Sequence, residues 1–280
     1  MILIADSGAT KTDWRLISDK TEVCNVKTIG FNPYFIDTDE IVQVLKETLL
    51  PYLFEHTVKK IFFYGAGCST PSKNYIILNA LNKLFVKADI DVNHDILGAA
   101  RSLLGNTEGI ACILGTGSNS CYYDGTSIVE SLPSFGYIFG DEGSGAQFGK
   151  YLVEAYLKKK LPAQLQTKFT EKYDYSMEDI LNNIYKKASP NRFLASFTTF
   201  FIENKGSEYL KAIELKCFND FIDYFILSYS KYHQVPIGFV GSVAHFFSDS
   251  LKEAFSTRGL TINKIIKAPI EGLIEYHTKN

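Results

Sequence analysis

Two glycine turns, each set between a pair of short apolar strands, constrain this chain more than any other feature. The first, Asp6-Ser7-Gly8-Ala9-Thr10-Lys11-Thr12, joins a strand at Ile2 to Ala5 to a second at Asp13 to Ile17, on which Trp14 and Leu16 share a face. The second, Gly115-Thr116-Gly117-Ser118-Asn119, joins Gly109 to Leu114 to a returning strand, Ser120 to Tyr123, closed by Asp124-Gly125. Gly8 and Gly117 hold the same place in the two hairpins, 109 positions apart. The repetition predicts an architectural duplication, with two domains facing each other.

The segments between and after the turns extend that frame. Val23 to Ile29 reads as a third strand. Ile41, Val44, Leu45, Leu49 and Tyr52 then recur at helical spacing, and a buried-looking strand, Ile61 to Tyr64, ends at Gly65 and Gly67. A second helix carries Ile77, Ala80, Leu81, Leu84 and Phe85, and a short strand, Ile90 to Val92, leads to Asp95. A meander followed by alternating helix and strand predicts a mixed α/β layer, not a purely parallel one. Past the second hairpin, Phe148, Tyr151, Leu152 and Ala155 mark one helix, and Cys217, Phe221, Tyr224, Phe225 and Ser228 mark another. Ile237 to Val240 is a strand that breaks at Gly241-Ser242 into a helix running through Phe246 and Leu251; Leu260 to Ile266 is the final expected strand, before a helix after Pro269. The expected domains are 1–105 and 106–280, with an aromatic, Lys-rich helical insertion at about 158–210.

Composition narrows the class of function. A chain of 280 residues, 46% hydrophobic, has enough apolar surface for two compact cores. The formal net charge of -2 comes with no Lys/Arg cluster of the size that nucleic-acid or anionic-membrane surfaces need. No apolar run approaches the roughly 20 residues of a membrane span, and nothing before Ile2-Leu3-Ile4 resembles a signal peptide, so a cytoplasmic protein is expected. Five cysteines, at 24, 68, 112, 121 and 217, show no close pair at zinc or redox spacing, and most of them read as reduced core residues.

The two turns also carry the chemistry. A glycine turn between strands presents backbone N–H groups and hydroxyls to an anion, because a small residue lets a phosphate approach, and Lys11 adds a point charge. Taken singly, each is equally an ordinary hairpin turn. Two at equivalent places could hold a polyphosphate from both sides. Neither matches a P-loop, in which Gly-Lys-Ser/Thr enters a helix, and the glycine spacing of a dinucleotide-binding site is missing. Gly238-Phe239-Val240-Gly241-Ser242-Val243-Ala244 is a strand-to-helix junction on which a flat ring could rest.

In this order and at this separation, the first hairpin resembles the phosphate-1 motif, the second the phosphate-2 motif, and Gly241-Ser242-Val243-Ala244 the adenosine motif of the actin, hexokinase and heat-shock-70 superfamily. Within it the chain resembles the N-acetylglucosamine kinase branch, grouped with the activating ATPases of the benzoyl-CoA reductase and 2-hydroxyacyl-CoA dehydratase systems; Gly115 to Ser120 and Gly140-Asp141-Glu142-Gly143-Ser144 are the most specific segments. The resemblance implies two duplicated actin-like (ribonuclease H-like) ATPase domains with mixed five-stranded sheets and a nucleotide cleft between them. It implies ATP and Mg2+ as cofactors, a small-molecule sugar as partner, and no nucleic acid or membrane. Asp6 matches the metal-site aspartate and Asp95 the catalytic base. Ser7, Gly8, Thr10, Lys11, Thr12, Gly115, Thr116 and Gly117 fall with the phosphates, and Gly241 and Ser242 by the adenine. Asn32, Asp95, Thr116, Ser118, Asn119 and Asp141 match positions that hold the sugar. Two departures stand out: Ala9 replaces a usual glycine, and Ser134-Phe135 replaces a glycine pair.

Alternatives remain at this level. Asp95 could cap the helix through Ala99, Ala100 and Leu103, and Asp141 or Ser144 could cap the one that follows them. The implied activity is direct transfer of the γ-phosphoryl group of ATP to a hydroxyl of an N-acetylated amino sugar, foremost the 6-hydroxyl of N-acetylglucosamine. The rivals are an activating ATPase coupled to an iron–sulfur cluster, which needs cluster-binding thiolates, and a non-catalytic sugar sensor on the same scaffold. Oligomeric state stays open, a homodimer included.

Overall fold

The computed structural model describes residues 1–53 and 56–279. Its first sheet is built from β1 (Ile2–Ser7), β2 (Lys11–Ser18), β3 (Thr21–Ile29), β4 (Lys60–Gly65) and β5 (Asp89–His94) in the order β3-β2-β1-β4-β5. The meander β1-β2-β3 is antiparallel, and β4 and β5 add in parallel beside β1. The parallel steps need crossovers, supplied by α1 (Thr38–Thr48) with the short α2 (Leu50–Leu53), and by α3 (Pro71–Leu84); α4 (Asp95–Leu104) follows β5. Local chemistry fixes the helix starts. Asp37 and Glu40 form a capping box on α1, and Thr70 caps α3 with Pro71 in the first turn.

The period of two along β1, β2 and β4 splits their side chains between two cores. Leu3, Ala5, Trp14, Leu16, Ile61 and Phe63 pack under α1 and α3 with Ile41, Leu45, Ile77 and Leu81. Ile4, Ile17 and Tyr64 point to the other face, where they meet Ile270 and Leu273 from the last helix, α14 (Ile270–Lys279).

The second sheet has the order β10-β9-β6-β7-β8, from β6 (Gly109–Leu114), β7 (Ser118–Tyr123), β8 (Ile128–Ser131), β9 (Ile237–Val240) and β10 (Lys264–Ile266). The pairs β6/β9 and β9/β10 are parallel. Between β8 and β9 run α5 (Gly136–Phe139), α6 (Gly145–Leu157), α7 (Ala163–Tyr173), α8 (Met177–Tyr185), α9 (Pro190–Ser196), α10 (Thr198–Glu203) and α11 (Glu208–Tyr224). The Lys-rich stretch after 158 is helical because its aromatic residues have a core to enter: Phe169, Phe197 and Phe200 are buried and pack ring against ring. The architecture therefore agrees with the sequence: two mixed five-stranded sheets with helices between their strands.

Local differences have physical causes. The helix expected through Phe246 and Leu251 is two, α12 (Ser242–Phe246) and α13 (Ser248–Ser256), because Phe247 leaves the helical path to pack on Phe148 and Phe201. The strand expected from Leu260 begins only at Lys264. Leu260 is buried in the core, while the backbone N–H of Asn263 donates to Ile237 O and its side-chain Oδ1 accepts from Ile237 N, ending the ladder there. Backbone packing groups the chain into two units, one of 1–107, 123–128 and the segment from Ala268, the other of 108–122 and 129–267. Among the described residues no helix is long and apolar enough to cross a membrane.

Candidate functional site

In the first unit, β1 and β2 pair in register up to Ser7 and Thr12, leaving Gly8, Ala9 and Thr10 as the turn. Gly8 N donates to Lys11 O at 3.0 Å. Ser7 and Thr12 are fully buried, and their hydroxyls are committed inward. Phe31 N donates to Ser7 Oγ (3.0 Å), Ser7 and Thr12 hydroxyls lie 2.8 Å apart, and Thr12 Oγ1 donates to Ile29 O (2.9 Å). These two side chains pin the turn; the groups it presents outward are the exposed Thr10 and Lys11 and the partly exposed backbone of Gly8 and Ala9. Ala9 does not take a left-handed backbone, so the missing glycine is tolerated without strain.

Gly30 completes the turn and was not legible as a site residue. Its N–H donates to Thr10 O, and a Cβ there would lie 2.2 Å from Gly8 O. Only glycine lets the two backbones approach so closely. Asn32 follows. Its Oδ1 accepts from Tyr34 N at 3.0 Å and packs against Gly67, whose φ of 82° and crowding both exclude a side chain.

Asp6, at the end of β1, is partly buried. Burial first, then the neighbouring Asp95 and Asp13 carboxylates, push its carboxyl up to about 7, with Lys11 opposing. Asp95 is the first residue of α4, directly after β5. It is not the cap: His94 holds that position, and His94 Nδ1 lies 2.6 Å from Asp95 Oδ1.

In the second unit the turn after β6 is closed by Gly115 N donating to Gly117 O, and its carbonyls accept from the start of α6, Gly145 N to Gly115 O and Ala146 N to Thr116 O. Asp141, 6% exposed and with φ 59°, does not cap α6; Ser144 does, accepting from Gln147 N. Asp141 Oδ1 instead accepts from Ser118 N (3.2 Å) and from Ser134 Oγ (3.3 Å). Its carboxyl is raised by burial, against those two hydrogen bonds. Gly117 makes the approach possible, since a Cβ would lie 2.9 Å from Asp141 Oδ1. Ser134, one of the departures from the family pattern, thus touches Asp141 directly. Ser118 Oγ is buried without a hydrogen-bond partner among the described residues, and Asn119 Oδ1 is held by Ser120 N. A buried hydroxyl without a partner is disfavoured in a finished fold.

At the end of β9, Gly241 has φ 128°, and a Cβ would fall 2.1 Å from Leu114 O; exposed Ser242 begins α12. A cavity of about 530 Å³ in the same unit is lined by Tyr137, Phe139, Glu142, Gln147, Tyr151 and Asp220, and by none of the residues assigned from sequence. Four of the five cysteines are buried, and burial raises the Cys112 and Cys217 thiols well above their ordinary range, a poor setting for cluster-binding thiolates.

No family model matches the sequence, and a search of curated proteins gives no match. Among solved structures, a candidate N-acetylglucosamine kinase from Porphyromonas gingivalis is 40% identical over 100% of this chain and 99% of its own, with a TM-score of 0.96. A second candidate N-acetylglucosamine kinase, from Chromobacterium violaceum, shares the fold at 16% identity and TM-score 0.77, over 98% of both chains. A ROK family glucokinase from Streptomyces griseus, solved with glucose and AMPPNP, shares it at 13% identity and TM-score 0.56, over 98% of this chain and 97% of that one. With a full-length relative at that identity, and with the hairpins, sheets and junction glycines in place, the chain belongs to the N-acetylglucosamine kinase-like family of sugar kinases within the actin-like ATPase superfamily.

Proposed function

We propose that the protein transfers the γ-phosphoryl group of ATP to a hydroxyl of an N-acetylated amino sugar, foremost the 6-hydroxyl of N-acetylglucosamine. The observation that carries this is the placement of Asp95 in the same unit as the exposed Thr10-Lys11 turn and close enough to Asp6 to act on its titration. Asp95 orients the acceptor hydroxyl and takes its proton; the oxygen–phosphorus bond forms as the bridging bond to ADP breaks. Lys11, Thr10 and the backbone N–H groups of the turn hold phosphate oxygens, with Gly115, Thr116 and Gly117 in the same role and Gly241 and Ser242 beside the adenine. Asn32, Thr116, Ser118, Asn119 and Asp141 hold the sugar, and the unpartnered Ser118 hydroxyl supports that assignment.

Asp6 suits Mg2+. Its carboxyl sits among like charges that a cation would relieve, and among the described residues no set of three His, Cys, Asp or Glu side chains forms a metal cage. Magnesium commonly uses one or two carboxylates, with phosphates and water completing its shell. When bound, it would neutralise charge on the phosphates.

The test is single-turnover phosphorylation of N-acetylglucosamine by Asp95→Asn, beside a screen of ATP consumption with N-acetylglucosamine, glucosamine, N-acetylmannosamine and N-acetylmuramic acid. Turnover should fall by at least about two orders of magnitude, the lower end of a general-base contribution, with nucleotide affinity near wild type. A folded variant within threefold of wild type would remove Asp95 from the mechanism.

A further inference from the structure

We propose that Lys73 is a positioning residue for the sugar: from the first turn of α3 it holds the turn Asn32-Pro33-Tyr34-Phe35, so that the Asn32 side chain offers its amide N–H groups to an acceptor atom of the substrate. The inference rests on the kinase reading and on Asn32 as a sugar residue, and adds to them a residue with a separable effect.

The turn follows Phe31, which is anchored in the core, and Pro33 within it is buried. Phe35 N donates to Asn32 O at 2.9 Å, and Tyr34 N donates to Asn32 Oδ1 at 3.0 Å. Asn at the first position and Pro at the second suit this geometry, the side-chain oxygen closing an inner turn two residues on. Because the partner of Oδ1 is an N–H, the sense of the amide is fixed, and Nδ2 with its two N–H groups is left as the donor. Such a nitrogen recognises an acceptor, a hydroxyl oxygen or the carbonyl oxygen of an acetamido group. Gly67 packs so closely that a Cβ there would lie 2.4 Å from Asn32 Oδ1, which confines the amide further.

Lys73 braces this turn from the helix. Its Nζ donates to Pro33 O at 3.0 Å and sits over the Tyr34 ring, 4.2 Å from the centroid, while the Tyr34 hydroxyl lies 3.4 Å from Ser69 Oγ. Pro33 and Tyr34 are the two central residues of the turn, so one ammonium group holds both. The backbone of Lys73 is itself fixed by Thr70, the cap of α3. A lysine in the first turn of a helix stands at the positive end of the helix dipole, where a cation is disfavoured. The helix gives no reason for lysine at this position; the carbonyl and the ring it reaches do.

The alternative is that Lys73 only fastens a surface turn to α3, with no bearing on the sugar. Steady-state kinetics with N-acetylglucosamine and ATP, beside thermal melts, separate the two. Lys73→Met keeps the apolar stem and loses donor and charge, whereas Lys73→Arg keeps both. Lys73→Met should raise the sugar KM by about 3–10-fold, the scale of one weakened hydrogen bond, with kcat and the ATP KM within about twofold, the pattern of lost ground-state binding. Lys73→Arg should restore the sugar KM to within about twofold of wild type. Asn32→Ala should raise the sugar KM by at least as much as Lys73→Met, and combining the two should add less than about twofold, because the lysine acts through the amide. If Asn32→Ala raises the sugar KM while Lys73→Met lowers only the melting temperature, the lysine is a fastening and the proposal falls alone. If Asn32→Ala leaves the sugar KM unchanged in an active enzyme, the sugar assignment of Asn32 fails and the proposal with it. If the wild type phosphorylates no amino sugar, the kinase reading fails and takes both.

Discussion

Asp6 carries a carboxylate that the fold itself disfavours. Its carboxyl moves from an ordinary 3.8 to about 7 because the folded chain buries it beside Asp95 and Asp13. A carboxyl raised in the fold favours folding when protonated. Above pH 7 the native protein therefore bears the full penalty of a charge it disfavours. As pH falls through about 7 the native state takes up the proton while the unfolded chain stays ionised, and the penalty shrinks, vanishing below about 4. Asp6→Asn removes the charge at similar shape. With chelator present, it should be more stable than wild type at pH 8 by about 1–3 kcal/mol, and the gap in melting curves should close towards pH 4. Phosphorylation should be lost at every pH. A variant less stable than wild type at pH 8 would mean that Asp6 is satisfied in the fold, and the argument for a cation there would lose its support.

At the scale of elements, the first hairpin depends on a residue from the end of the next strand. Gly30 N holds Thr10 O, and its missing side chain leaves room for Gly8 O. Gly30→Ala would put a carbon 2.2 Å from that oxygen, so the turn must move. Overpacking of this kind costs about 1–3 kcal/mol, and here the displaced atoms are the proposed phosphate donors. A lower melting temperature together with an ATP KM raised about tenfold or more is expected; normal values of both would show that the turn is not held from behind. This dependence also marks how far sequence reading reached. The hairpins, the strands β4, β6 and β9 and the helix after Asp95 were legible because their apolar periodicity and glycine turns are local signals. Gly30, the inward bonding of Ser7 and Thr12, and the Ser134 contact to Asp141 were not, because each arises only when a distant backbone folds against the turn. β8 was missed for a different reason: Ile128–Ser131 is largely exposed and has no alternating pattern to detect. Asp95 could be read as a cap until the structure placed His94 in that position.

In the molecule as a whole, the first unit is completed by the last segment of the chain. Ile270 and Leu273 of α14 close the core around Ile4, Ile17 and Tyr64, a pairing that no local signal announces. The polar part of this closure is a relay: Arg101 Nη1 lies 2.6 Å from Tyr64 OH, and Tyr64 OH lies 2.9 Å from His277 Nε2, with the His277 ring stacked on Phe62. Tyr64 OH accepts from arginine and so has its proton to give to His277, which requires a neutral imidazole with a bare Nε2. Burial, Arg101 and Lys60 together bring the His277 pKa down to about 4. Above pH 6.5 the imidazole is neutral whether folded or not, and this contribution is complete. Between 6.5 and about 4 the unfolded chain takes up a proton that the native state refuses, so stability falls as pH falls. Asp6 titrates in the opposite sense over part of the same range, so the wild-type curve alone would mislead. His277→Gln keeps an acceptor for Tyr64 and cannot titrate. Denaturant melts of both proteins from pH 7.5 to 4.5 should show wild type losing about 2 kcal/mol relative to the variant, allowing for the partial exposure of the ring. A difference that stays constant across the range would mean that His277 binds its proton equally well in the native and unfolded chains, and that α14 is not held by a neutral histidine.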